Sequence, residues 1–237
     1  SRRRQMAGPE IAIVFQDALT ALNPVNTVGS QLAEPFRLHR GMSRKQAKVE
    51  AVDLMRRVGI PEPEERYHAY PHQFSGGMRQ RLLIAIAVAL SPDVLLADEP
   101  TTALDVTVQA QIMQLLADLR TEHDMGVVLI THDLALVSER CDRVVVMYAG
   151  RVVEEGPVEE VFGSPRHPYT RGLLESVPSE DQVAAMGWAG SRPSIRRGAH
   201  SRMRSGSVEN SMPAKSGCSI SASCRRRRKS TSVSPHT

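Results

Sequence analysis

Residues 74–99 read FSGGMRQRLLIAIAVALSPDVLLADE, and the fold is decided inside this stretch. Ser75-Gly76-Gly77 opens directly into a helical window from about Gly77 to Leu90, which Pro92 ends. Glycines let a backbone approach a ligand closely, and the N–H groups and positive dipole end of a helix start bind anions, phosphates above all. Val94-Leu95-Leu96-Ala97 is then a short apolar strand that delivers Asp98 and Glu99 to its carboxyl edge, where open α/β sheets place their ligands. Asp98 stands where it can hold Mg²⁺, directly or through water, and Glu99 where it can polarise an attacking water. Taken alone, a Ser-Gly-Gly turn is a weak signal. An acidic pair after a strand equally suits a solvated loop or a helix cap.

Outward from this stretch, short β-branched runs alternate with amphipathic helical windows, the pattern of βαβ units around a mostly parallel sheet. Ile11–Phe15 (IAIVF), Val127–Thr131 and Arg143–Met147 read, like Val94–Ala97, as buried strands. Between the first two strands lies a long helical stretch. Ser43 with Gln46 forms a capping box, Ala47, Ala51, Leu54, Met55 and Val58 line one face, and Gly59 stops that helix. A further helix spans Val106 to about Glu122 with Val108, Ile112, Leu115 and Leu119 on its buried side. Ala149-Gly150 reads as a hairpin turn into Arg151–Glu154.

The 237 residues are 41% hydrophobic and 24% charged, enough apolar side chain for a globular core. The longest strictly apolar run, Leu82–Leu90, has nine residues, where a membrane-spanning helix needs about 20. The net charge of +4 is split: residues 183–237 hold 11 Lys+Arg against one acid, Glu209, while the remainder carries 19 bases against 25 acids. The folded part is therefore mildly acidic, and no nucleic-acid partner is expected for it. The tail has 13 serines between Ser191 and Ser234 and the block Arg225–Lys229, and it is predicted to be disordered. Cys141, Cys218 and Cys224 are too few and too scattered for a disulfide framework, which favours a reducing, cytoplasmic setting.

Five motifs in order carry a resemblance to the ATP-binding cassette (ABC) ATPases. Ile13-Val14-Phe15-Gln16 resembles the strand ending in the Q-loop glutamine, and Phe74 to Gln80 the signature motif. Asp98-Glu99 resembles the acidic strand end, Ala103-Leu104-Asp105 the D-loop, and Leu129 to Asp133 the switch-histidine segment. Singly, Gln16 suits an ordinary polar strand end and His132 a helix cap or a core histidine. The resemblance implies that Gln16 contacts Mg²⁺ and the attacking water, that Glu99 is the base, and that His132 touches the γ-phosphate of ATP. It also implies that Ser75, Gly76 and Gly77 act in trans on a partner's nucleotide. Leu22-Asn23-Pro24 after Gln16-Asp17, SGGMRQR at 75–81, DEPTTALD at 98–105, VMYAG at 146–150 and HPYT at 167–170 are similar to the oligopeptide/dipeptide/nickel branch of import ATPases. The resemblance covers residues 10 to about 180.

The implied fold is α/β, a P-loop NTPase core over residues 1–182 with a helical subdomain at about 24–92. The implied function is hydrolysis of ATP with Mg²⁺ to energise peptide import at the cytoplasmic face of the inner membrane. The implied partners are two permease subunits, a second ABC ATPase as homo- or heterodimer and, indirectly, a surface or periplasmic binding protein. The other readings are a catalytically dead remnant offering only its signature face, and a soluble ABC protein outside transport. The string GxxxxGK[ST], whose lysine and N–H groups cradle phosphates, does not occur in the 237 residues. The expectation is thus an N-terminally truncated chain, without the first strands or Walker A, inactive alone, with two strand edges left unpaired. Cys218 and Cys224 read as free thiols, and the serine and arginine bias after Gly187 suits a shifted reading frame.

Overall fold

The computed structural model describes residues 6–16, 21–102 and 104–176 and the backbone of 218–224, and no more is said of the other residues. The chain divides into two units, one running to Val127 and the other from Val128 to Cys224.

In the first unit, β1 (Ile11–Val14) runs parallel to β2 (Val94–Asp98), with Ile11 opposite Val94 and Val14 opposite Ala97. Ala12, Val14, Leu95 and Ala97 form its buried face. On the opposite face Ile11, Ile13 and Phe15 are 36%, 46% and 58% exposed. This corrects the reading of Ile11–Phe15 as a buried strand: an apolar run says that a strand is hydrophobic on both faces, and among the described residues only one of the two is covered.

The long helical stretch resolves into several pieces. The helix α1 (Val28–Arg40) starts on Thr27, whose side chain accepts from Ser30 N. Pro35 lies inside it and removes a backbone donor, so the sequence pattern hides this helix; burial of Val28, Leu32, Ala33 and Phe36 keeps it in place. α2 (Arg44–Arg57) has the expected capping box: Ser43 Oγ accepts from Gln46 N, and Gln46 Oε1 accepts from Ser43 N at 3.0 Å. Ala47, Ala51, Leu54, Met55 and Val58 are all buried, as the periodicity predicts. A short turn of helix, α3 (Pro63–Arg66), and a 3₁₀ turn at Pro71–Gln73 lead into α4 (Gly76–Val88). After β2 comes α5 (Val106–His123). α1 packs on α2 and α4, and α4 packs on α5 and β1. Apolar α4, with Leu82, Ile84 and Ala85 buried, is thus the hub on which α1, α2, α5 and β1 meet.

The division between the units falls within β3 (Gly126–Thr131). In the second unit α6 (Leu134–Arg140) precedes β4 (Arg143–Tyr148), which pairs antiparallel with β5 (Arg151–Pro157). Ala149 and Gly150 make the turn, both at positive φ (48° and 75°), the combination that a tight hairpin with right-twisted strands requires. The helices α7 (Val158–Gly163) and α8 (Pro168–Glu175) follow. Leu134, Val137, Val144, Val146, Val158 and Val161 form the core of this unit, with Phe162, Tyr169 and Leu173 packed against it.

The second edge of β4 carries β6 (Cys218–Cys224), antiparallel, from Arg143 opposite Ser223 to Tyr148 opposite Cys218. Two expectations change here. The truncated fold is expected to leave two strand edges unpaired, yet both edges of β4 have partners, and seven residues of the segment read as disordered form one of them. The physical reason is that a strand edge is a row of unmet N–H and C=O groups, which any extended segment of the chain can satisfy regardless of its side-chain composition.

Candidate active site

The strand β2 ends at Asp98, and the backbone turns immediately: Glu99 takes a left-handed φ of 43°, which L-residues with side chains rarely adopt. The turn closes with Thr102 N donating to Glu99 O at 3.2 Å. Gln16, just beyond the parallel neighbour β1, donates from Nε2 to Glu99 Oε2 at 3.3 Å. The Thr102 hydroxyl donates to the same oxygen at 2.6 Å. Gln16 and Glu99 stand 83 positions apart in sequence. The parallel register of β1 and β2, which puts the two carboxyl ends side by side, joins them.

Asp98 is half-buried at the strand end beside this pair. The donor set suits Mg²⁺, a hard cation that keeps several waters and takes one or two protein oxygens together with substrate phosphates. The Asp98 carboxylate supplies one oxygen. The amide of Gln16 turns its Nε2 towards Glu99, so its carbonyl oxygen is the end that suits a cation. Among the described residues no cluster of three or more His, Cys, Asp or Glu forms a metal cage, and a cation shared with phosphates needs none.

The signature residues occupy a helix start. Ser75 caps α4, its side chain accepting from Met78 N at 3.3 Å, which leaves Gly76 and Gly77 as the first-turn donors. Asp105 caps α5, accepting from Val108 N at 2.9 Å. The two starts adjoin: a Cβ at Gly77 would lie 2.6 Å from Val108 Cγ1, and one at Gly76 would lie 3.7 Å from Leu104 Cδ2. Only glycine permits that approach at position 77. Ala103, in the middle of the D-loop string, and Asp17 and Ala18 after Gln16 lie outside the described residues.

His132 belongs to the second unit, directly after β3, and its side chain is exposed. It is neither a core histidine nor the helix cap. The cap of α6 is Asp133, which accepts from Ala135 N and Leu136 N, while Thr131 Oγ1 accepts from Asp133 N at 3.1 Å. Residues on both sides of His132 are therefore tied down.

The HPYT segment has a structural account. His167 caps α8, its Nδ1 accepting from Tyr169 N at 3.2 Å, and Pro168 takes the first helical position. Glu154 on β5 receives Arg166 N at 2.9 Å and His167 N at 3.1 Å on its two carboxylate oxygens. Burial by itself would raise the Glu154 carboxyl. The N–H group of Arg166, the Thr170 side chain, the N–H of His167 and the His167 ring charge together outweigh it and hold the group below the usual carboxylate range. The sequence pattern gives no hint of Glu154, because the donors it receives are backbone groups 12 and 13 residues away. Thr102 is different: a hydroxyl three residues after an acid at a strand end is a readable turn signal.

Comparison with known proteins follows the same lines. Residues 1–102 match the ABC transporter family model, and residues 153–230 match that of the oligopeptide/dipeptide transporter C-terminal region. The second match extends into the serine- and arginine-rich tail. A Brucella melitensis protein named as a peptide import ATP-binding protein is 50% identical over 221 residues, covering 93% of this chain and 63% of the relative. The dipeptide transport ATP-binding protein DppD of Haemophilus influenzae is 53% identical over 176 residues, 74% of this chain and 53% of that protein. Among solved structures, the dimeric post-hydrolysis state of the ATP-binding cassette MJ0796 bound to ADP and Pi is similar, with a TM-score of 0.57, 31% identity and 66% of each chain covered. The chain thus spans under two thirds of the length of these curated relatives. An acidic strand end whose Glu99 is hydrogen-bonded to Gln16, a capped glycine-rich helix start and both family matches give one conclusion: the chain belongs to the ABC transporter ATPase family, in its oligopeptide/dipeptide branch.

Proposed function

We propose that these residues serve in an ATP-hydrolysing subunit that energises peptide import. The observation that carries this reading is the junction of Gln16 and Glu99 beside Asp98 at the ends of two parallel strands. Glu99 is the base that polarises the attacking water, with Gln16 reading the state of the site through its contact with Glu99. Asp98 and the Gln16 carbonyl would hold Mg²⁺, which supplies positive charge against the phosphate oxygens when bound. His132 is the contact to the γ-phosphate. Ser75, Gly76 and Gly77 offer a dipole-positive helix start to the nucleotide of a second ABC subunit, and Asp105 fixes the neighbouring helix start at that interface.

The names of the relatives support peptide as cargo and a permease as partner, pictured as two membrane subunits fed by a surface or periplasmic binding protein. No described helix is long and apolar enough to cross a membrane; in this reading the subunit is held peripherally at the cytoplasmic face by those partners. In the full-length ATPase, Glu99→Gln keeps nucleotide binding and lowers turnover by about 10²-fold or more. His132→Ala also lowers turnover sharply. Turnover within a few-fold of wild type for Glu99→Gln removes Glu99 from the base position, and purification without any membrane permease subunits removes the importer reading.

A further inference from the structure

We propose that Thr102 is a positioning residue for the Glu99 carboxylate, an inference that rests on the reading of Glu99 as the base. Gln16 and Thr102 both reach Glu99 Oε2, and the two ties differ in kind. The Gln16 amide stands at 3.3 Å, a long contact, whereas the Thr102 hydroxyl stands at 2.6 Å, the length of a charge-assisted O–H···O⁻ bond. The hydroxyl is not needed to make the turn, because Thr102 N already closes it onto Glu99 O. The turn is anchored independently of Thr102: Pro100 and Thr101 are buried, while Thr102 is exposed. The backbone therefore holds Thr102 in place, and the hydroxyl is spent on the carboxylate.

That matters for a glutamate. Its carboxylate sits beyond three rotatable bonds, and here it starts from an unusual backbone conformation, φ 43°. A general base works only when held within hydrogen-bond reach of the proton it takes. A side chain three residues away, on the same turn, gives the carboxylate a fixed anchor that does not depend on the Q-loop. Gln16 can then move with its loop, and Glu99 keeps its place.

The test is steady-state ATP hydrolysis by the full-length ATPase carrying Thr102→Val, Thr102→Ser, Glu99→Gln or Thr102→Val with Glu99→Gln. Valine has the shape of threonine without the donor, and at an exposed position it leaves the core untouched. The expected result is a kcat about tenfold lower for Thr102→Val, KM for ATP within about twofold, and recovery to within about threefold of wild type in Thr102→Ser. In the Glu99→Gln background, Thr102→Val costs nothing further. Wild-type kcat in Thr102→Val with an inactive Glu99→Gln overturns this inference alone. A loss equal in the valine and serine variants, or confined to KM, overturns it as well. Wild-type turnover in Glu99→Gln overturns the base reading and this inference with it.

Discussion

At Gly77 the usual effect of adding a methyl group to a helix is reversed. Replacing a helical glycine by alanine normally stabilises by about 1 kcal/mol through lost backbone freedom in the unfolded chain. Here the new Cβ would meet Val108 Cγ1 at 2.6 Å, and a β-branched side chain on a packed helix cannot give way cheaply. Gly77→Ala is therefore expected to destabilise by about 1–3 kcal/mol, the cost of overpacking, measured by urea unfolding, with Val108→Ala restoring part of the loss. A stabilised Gly77→Ala chain would mean that α4 and α5 do not meet as described. The same close contact explains why the glycine pair was legible in the sequence while its neighbour was not. A glycine announces that something comes near, but which side chain comes near depends on how two helices pack.

Among the elements, α8 is tied at its start to a single side chain outside itself. The Glu154 carboxylate takes two N–H groups just ahead of the helix, and its carboxyl is held low by those donors after burial has pushed the other way. The sign follows from linkage: the folded carboxyl titrates below the unfolded one, near about 4.3. Its stabilisation is thus fully present above about pH 5 and is lost as the pH falls through the folded value. Glu154→Gln is expected to cost about 1 kcal/mol near neutral pH, an estimate discounted for partial exposure. It should also flatten the loss of stability between about pH 5 and 3, followed by urea unfolding across that range. An unchanged slope would show that other carboxylates carry the acid sensitivity. By contrast, the ion pairs of Arg57 with Asp53 and Glu122 have side chains 41–48% exposed and are worth little.

For the molecule as a whole, the chemistry and the strand edges set the expectations. Residues 1–237 hold the acidic strand end, the glutamine and the helix start, but no GxxxxGK[ST] string. Charge-assisted phosphate contacts are worth about 1.5–3 kcal/mol each, and several are supplied by such a loop. Expressed by themselves, these residues are expected to show no Mg²⁺-dependent ATP hydrolysis in a phosphate-release assay; hydrolysis abolished by Glu99→Gln would overturn that expectation. In the second unit, β6 satisfies one edge of β4 from Arg143 to Tyr148. A chain ended at residue 217 is expected to aggregate more readily, read by light scattering against concentration. Equal scattering from both chains would show that β6 does not protect the edge.

The sequence by itself determined the order of motifs, the helix cap at Ser43, the hairpin turn at Ala149-Gly150 and the acidic residues at the end of β2. Each of these rests on local chemistry: a hydroxyl that meets an N–H three residues on, a residue that tolerates positive φ, an apolar run closed by charge. Only the tertiary structure decided that Glu99 is tied to Gln16, that Pro35 sits inside a helix, that one face of β1 stays open and that β6 pairs with β4. These depend on which surfaces meet across tens of residues, and a local pattern records a surface without its partner.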